Sequence, residues 1–274
     1  MSTQTITVPA SSSSSTLFLP NLGLSHSKHP QLEDGPVEPS PQELLDRTLY
    51  ALQKAEIALI EWGTLLHNRM GVPTILKHHH FLVPDDDLLA ASRIASEEGL
   101  PLSSPPQILV DTHGDFFTKG HLHRLTSSTS PALAQYLILF PFSFASYTPS
   151  ELEPRPRFTS LAFPLCKTVL VPQRPAVYAS ILRAMTAYPR WSPTRMTLES
   201  HLSELIGYNL YDLADGYVDI DDEELCQSQE VDQRVAEAVQ VVKEWACAGQ
   251  WRQGEEWIGD ALVSVVSGAV GLPV

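Results

Sequence analysis

Residues 57–87, IALIEWGTLLHNRMGVPTILKHHHFLVPDDD, decide the fold of this 274-residue chain. Short apolar runs alternate there with glycine and proline, which interrupt regular structure. This pattern predicts a strand, a helix, a second strand and a second helix, with the aspartates after Pro84 suited to start the last of them. These four elements are expected over residues 57–60, 64–70, 74–83 and 88–98.

On both sides of this stretch, the sequence also predicts a mixture of helices and strands. Ser40-Pro41-Gln42-Glu43 combines an N-cap serine, a proline at the first helical position and an acid in the first turn, which predicts a helix over residues 41–55. Further strands are expected over 108–110, over 136–144 and within 161–171. Further helices are expected over 175–188, 196–211 and 231–248. The fold class is therefore α+β, with a small mixed sheet flanked by helices.

The composition divides the chain into three parts. Residues 1–40 are rich in serine and proline, which predicts a disordered tail because they bury too little apolar surface to offset the entropy of ordering. Residues 41–200 are expected to form the α+β core. Residues 201–274 are expected to form a helical extension packed on that core.

Composition and charge exclude several classes of protein. The net charge of −14 argues against a general nucleic-acid binder, which needs clustered Lys and Arg. The apolar C-terminal stretch over 261–274 is shorter than the ~20 residues of a membrane span and predicts a buried helix. Three cysteines form no disulfide framework. Together with an N-terminus that lacks the features of a secretory signal, this favours a cytoplasmic protein.

The charge is unevenly distributed along the chain. Residues 154–198 carry seven bases and no acid, whereas residues 199–274 carry 16 acids and three bases. The simplest interpretation is that the basic segment faces acidic surfaces of the same protein or of a partner. A small anionic ligand in the basic segment is the alternative.

The order of motifs over residues 41–98 resembles the start of nucleotidyltransferase-fold proteins, in particular an uncharacterised group of fungal proteins. Gly63-Thr64 stands where that family has Gly-Ser after the first strand. Gly71-Val72-Pro73-Thr74 leads into the second strand. The segments 163–166 and 170–172 also look like later parts of the fungal group.

The resemblance implies Mg²⁺-dependent nucleotidyl transfer, but this chain lacks the two carboxylates that such a reaction needs. In the family, two acids at i and i+2 on the second strand point the same way and hold Mg²⁺, which bridges the triphosphate of the nucleotide. Here His78 and His80 stand at those positions, and imidazole is a poor ligand for Mg²⁺. We therefore expect a degenerate nucleotidyltransferase-like protein with a binding or accessory role. Gly63 and Thr64 remain candidates to cradle a phosphate with backbone N–H groups.

A cluster of histidines supports an alternative from another class. Six of the ten histidines lie between residues 78 and 123, and two of the pairs have H-x-H spacing. A metal-dependent enzyme with Zn²⁺ or Fe²⁺ on His78, His80 and His113 is therefore a second hypothesis. The candidate metal ligands are His78, His80, His113, His121 and His123.

A third hypothesis keeps nucleotidyl transfer in a divergent form. Mg²⁺ would then be held by Asp85, Asp87 or Asp111, which lie close in sequence to the histidines. Apart from the Zn²⁺ or Fe²⁺ of the second hypothesis and the Mg²⁺ of the third, no cofactor is predicted.

Overall fold

The computed structural model describes residues 39–128, 130 and 133–269 of the chain. In this described part the fold is α+β, with ten α-helices and one mixed sheet of seven strands. The strands are β1 (Ile60–Trp62), β2 (His79–Val83), β3 (Leu102–Ser103), β4 (His121–Arg124), β5 (Tyr136–Pro141), β6 (Leu152–Pro156) and β7 (Thr168–Pro172). The helices are α1 (Pro41–Lys54), α2 (Thr64–Arg69), α3 (Leu88–Glu97), α4 (Gln107–His113), α5 (Asp115–Thr118), α6 (Arg174–Ala187), α7 (Pro193–Leu205), α8 (Glu223–Ser228), α9 (Val231–Cys247) and α10 (Trp257–Val266).

The sheet has the strand order β3-β4-β5-β2-β1-β7-β6. β2 lies at its centre, antiparallel to β1 and parallel to β5. All five residues of β2 are buried, as expected for a strand covered on both faces. The α+β class with a mixed sheet is therefore confirmed.

The helix α1 begins as its sequence predicts. The Ser40 side chain accepts a hydrogen bond from the Glu43 backbone N–H, and the Glu43 carboxylate accepts one from the Ser40 N–H at 2.7 Å. This capping box satisfies two N–H groups that have no partner within the helix. Leu45, Leu49 and Leu52 lie on one face of α1 and are fully buried. The disordered tail predicted over residues 1–40 falls, up to residue 38, outside the described residues.

The strand predicted over residues 108–110 is wrong, because these residues lie in the helix α4. A run of three apolar residues does not distinguish a strand from a helix. Pro106, with φ −59° and ψ 135°, serves as the N-cap residue of α4, and a proline before the first turn removes no hydrogen bond of the helix. The short strand β3, ahead of those prolines, pairs with β4 at that edge of the sheet instead.

The observed second strand, β2, is also shorter than the predicted range of residues 74–83. β2 pairs with β1 over three residues only, from Ile60 opposite Leu82 to Trp62 opposite His80. Because β1 ends at Trp62, the residues before His79 have no neighbouring strand on that side, and they form a loop.

The C-terminal helices share the core of the remaining chain. Ala238 and Val242 of α9 and Ile258 and Leu262 of α10 are fully buried in the same hydrophobic cluster as the sheet. The domain boundary predicted at residue 200 lies inside α7. The terminal helix predicted over residues 261–274 is α10, which begins earlier, and residues 270–274 lie outside the described part. Among the described residues, no helix has the length and apolar character needed to cross a membrane.

Candidate functional site

The turn between β1 and α2 is built on Gly63. Its φ is +60°, a conformation that residues with a side chain rarely adopt. A Cβ at this position would lie 2.4 Å from Nδ1 of His80. The Gly63-Thr64 turn therefore packs directly on the His80 ring, and only glycine allows this approach.

His80 occupies the sheet position at which the resemblance places a carboxylate. Its ring is surrounded by aromatic side chains, with centroid distances of 6.1 Å to Trp62 and 5.9 Å to Phe140. The residue is buried, and neither ring nitrogen has a hydrogen-bond partner among the described residues. Burial, with a smaller effect from the neighbouring histidines, holds the pKa of His80 well below its usual value. At neutral pH this position is an uncharged imidazole.

His78 lies on the same side of the sheet, one residue before β2. The centroids of its ring and the His80 ring are 6.3 Å apart. Phe117 and Tyr136 pack on the His78 ring. Burial lowers the pKa of His78 to about 4, and Lys77 and two histidines add to the effect. His78, like His80, is therefore a neutral ring in an aromatic environment.

Two further histidines join this group, and sequence reasoning did not single them out as site residues. His67 of α2 and His201 of α7 meet edge to face, with ring centroids 4.5 Å apart. Phe116 of α5 packs on the other side of His201 at 5.3 Å. Burial lowers the pKa of His67 to about 4 and holds that of His201 well below the usual value.

A cleft opens beside His67 and His201. Its volume is about 450 Å³, and its walls are α2, α4, α7 and the loop residues Thr74 and Ile75. His113 stands in the wall formed by α4, where its Nδ1 lies 3.4 Å from Oγ1 of Thr197. The cleft thus adjoins the Gly63-Thr64 turn, and Thr64 itself lines it.

His121 and His123 do not belong to this site. His123 lies opposite Leu137, which lies opposite His79, so these three share one face of the sheet. His80 points to the other face, because neighbouring residues in a strand alternate. His123 is held there by two hydrogen bonds of 2.9 Å, from Nδ1 to the Leu100 carbonyl and between Nε2 and Ser92 Oγ. His121, two residues away, is on that face too.

The structure does not bring the five candidate metal ligands together. The five histidines His78, His80, His113, His121 and His123 are divided between the two faces of the sheet and do not converge. Throughout residues 39–269, apart from the short gap near residue 130, no group of three or more His, Cys, Asp or Glu is arranged to hold a metal ion.

The aspartates of the third hypothesis are equally dispersed. Asp85 accepts a hydrogen bond of 2.9 Å from the Ser143 backbone N–H. The Ser143 side chain, and then this backbone bond, lower the pKa of the Asp85 carboxyl. Asp111 is exposed on α4 and accepts a bond from the Gln107 amide at 2.7 Å. Asp87 lies in the turn before α3. Asp85 and Asp111 thus have structural contacts, and among the described residues none of the three aspartates belongs to a group arranged to hold a metal ion.

The basic segment pairs largely with acids of the same chain. Arg157 and Asp46 form a buried ion pair with 2.5 Å between nitrogen and oxygen. Arg183 contacts both Glu151 and Glu255. Two further pairs are Arg155 with Glu153 and Arg195 with Glu199. The expectation that the basic segment faces acids of the same protein is confirmed for these four arginines.

Comparisons with other proteins do not identify the site. The chain matched no protein-family model, no curated protein and no solved structure. A functional conclusion therefore depends on the residues of this chain and their geometry.

Proposed function

We propose that this chain is a degenerate nucleotidyltransferase-like protein that has lost nucleotidyl transfer and binds a small ligand in the cleft beside the Gly63-Thr64 turn. The resemblance rests on the order helix, strand, Gly-Thr turn, helix, strand and helix. The structure forms these elements in that order, from α1 to α3. The proposal includes the cytoplasmic location that the sequence favours.

One observation supports the proposed loss of nucleotidyl transfer. The strand position of a metal-binding carboxylate is filled by His80, which is buried against Gly63 and aromatic rings and is uncharged at neutral pH. Mg²⁺ requires oxygen ligands in an octahedral arrangement. A neutral ring without access to solvent supplies neither the charge nor the oxygen.

A thermal-shift experiment tests the proposal. The full chain is heated with millimolar ATP, CTP, GTP or UTP, each with and without Mg²⁺. We expect no Mg²⁺-dependent rise in Tm for any of the four, because a ligand stabilises a protein only in proportion to its occupancy. A rise that requires both Mg²⁺ and nucleotide would contradict the proposal and favour the divergent active enzyme.

A further inference from the structure

The lining of the cleft combines polar side chains with a few apolar ones. Its volume of about 450 Å³ suits a small molecule, since such sites span roughly 300–1,000 Å³. Within the part of the chain that the structure describes, no lysine or arginine lines it, and Glu204 is its one carboxylate. Burial raises the pKa of that carboxyl. Five hydroxyl side chains line the cleft: Thr64, Thr74, Thr112, Thr197 and Ser200.

The histidines of the lining are neutral. Burial lowers the pKa of His67 to about 4 and also lowers those of His113 and His201. A neutral imidazole has one N–H donor and one acceptor nitrogen, and a hydroxyl both donates and accepts. The cleft therefore offers donors and acceptors side by side, with no positive charge to neutralise a phosphate.

His67 is the strongest indication that a ligand belongs here. Only 5% of its surface is exposed, yet it lines the cleft. Its ring contacts His201 edge to face. Because the ring lies in the wall of the cleft, its donor and acceptor nitrogens are placed to hydrogen-bond to a ligand there.

Two apolar side chains stand at the edge of the cleft. Ile75 is 91% exposed and Met196 is 54% exposed, and both line the opening. Large apolar side chains with that exposure are suited to cover the apolar face of a ring.

We propose that the cleft binds an uncharged, polyhydroxylated ligand of the size of a sugar or a nucleoside. This inference rests on the proposed function, because it names the ligand class of the same cleft. The hydroxyls of α7 and the imidazole of His67 bond to the hydroxyls of the ligand, and Ile75 and Met196 cover its ring. A phosphorylated ligand binds less well, because its charge meets Glu204 and no cation.

Calorimetric titration of the full chain tests the inference. The panel contains common monosaccharides, disaccharides and nucleosides, each beside its phosphorylated counterpart. The variant Ser200→Phe places a large ring at an exposed position of the cleft wall. Ser203→Phe is the matched control, since Ser203 is exposed on the same helix and does not line the cleft. Ser200→Ala, which removes only the hydroxyl, serves as a second variant.

We expect at least one uncharged compound to bind, with its phosphorylated counterpart at least tenfold weaker. Ser200→Phe should weaken that binding at least tenfold, Ser200→Ala severalfold, and Ser203→Phe not at all. If only sugars bind, the ligand class is sugars; if only nucleosides bind, it is nucleosides. The inference is overturned if no uncharged compound binds, if phosphorylated compounds bind as tightly, or if Ser200→Phe has no effect. Each of these results leaves the absence of nucleotidyl transfer intact.

Discussion

His67 of α2 and His201 of α7 meet edge to face with their ring centroids 4.5 Å apart, although 134 positions separate them in the sequence. Their contact joins the helix after the Gly63-Thr64 turn to the wall of the cleft. Because burial lowers the pKa of both rings, both are uncharged at neutral pH, and this has a measurable consequence for stability.

The first prediction concerns pH. The pKa of His67 is lowered from 6.5 to about 4 in the folded chain, so the unfolded chain binds more protons between these values. The free energy of unfolding is then constant above pH 6.5 and falls as the pH drops towards 4. Each such histidine contributes up to about 1.4 kcal/mol per pH unit in this window. Urea unfolding at pH 5 to 8 measures this slope.

A His67→Asn variant gives the matched comparison for the pH prediction. It removes one titrating group, so the free energy of unfolding should change less steeply with pH between pH 5 and 6.5. Above pH 7 the free energy of unfolding should depend little on pH. A stability that is unchanged or rises on acidification from pH 7 to 5 would show that these rings are not buried in neutral form.

The second prediction concerns Gly63. Gly63→Ala adds a Cβ 2.4 Å from His80 Nδ1 at a position with φ of +60°. Gly249→Ala is the control for a positive φ, since its φ is +68° and nothing lies within 4 Å of the added Cβ. The control should cost about 1–2 kcal/mol for the left-handed backbone alone. Gly63→Ala should cost more, because its ψ of −137° lies outside the left-handed region that other residues can adopt and because the His80 ring must also move.

Chemical denaturation of both glycine variants, of His80→Ala and of the double variant Gly63→Ala with His80→Ala separates the cost of the backbone from the cost of the clash. The double variant should show a coupling of the size of the clash, because removal of the ring opens space for the added methyl group. Equal losses at Gly63 and Gly249 would mean that the turn does not pack on His80.

The third prediction concerns the buried ion pair of Asp46 and Arg157. Asp46 also accepts hydrogen bonds from the backbone N–H groups of Leu165 and Cys166, so it holds the segment before β7 against α1. Asp46→Ala leaves the arginine buried without its partner and should cost about 3–5 kcal/mol. Urea unfolding at pH 7 measures the loss.

The exposed pair of Arg155 and Glu153 is the control for the buried one. Its side chains are 54% and 39% exposed, respectively. Glu153→Ala should change stability by only about 0–1 kcal/mol. If the two substitutions cost the same, the pair at Asp46 is not buried in solution.

Much of the fold near the opening stretch can be predicted from local signals. The start of α1 follows from Ser40-Pro41, and Gly63 and Gly71 mark both ends of α2. The same serine–proline signal stands at Ser192-Pro193, where α7 begins, three residues before the predicted start at residue 196. Short apolar runs are less informative, because burial in a strand and burial on a helix face select the same side chains.

The candidate site could be predicted only in part. The positions of Gly63 and His80 follow from the order of elements along the chain. Nothing in the sequence joins His67 to His201, since they meet through the packing of two helices. The separation of His123 from His80 follows from strand register, which neighbouring strands set together and which H-x-H spacing does not contain.

The proposed function implies that this chain does not transfer nucleotides. The most direct measurement is an assay of the full chain with labelled ATP, CTP, GTP and UTP and either Mg²⁺ or Mn²⁺, followed by detection of released pyrophosphate and of labelled product. We predict that neither released pyrophosphate nor labelled product rises above the protein-free blank. The double variant Asp85→Asn/Asp87→Asn should give the same signals as the unaltered chain. Metal-dependent pyrophosphate release that this double variant abolishes would contradict the claim.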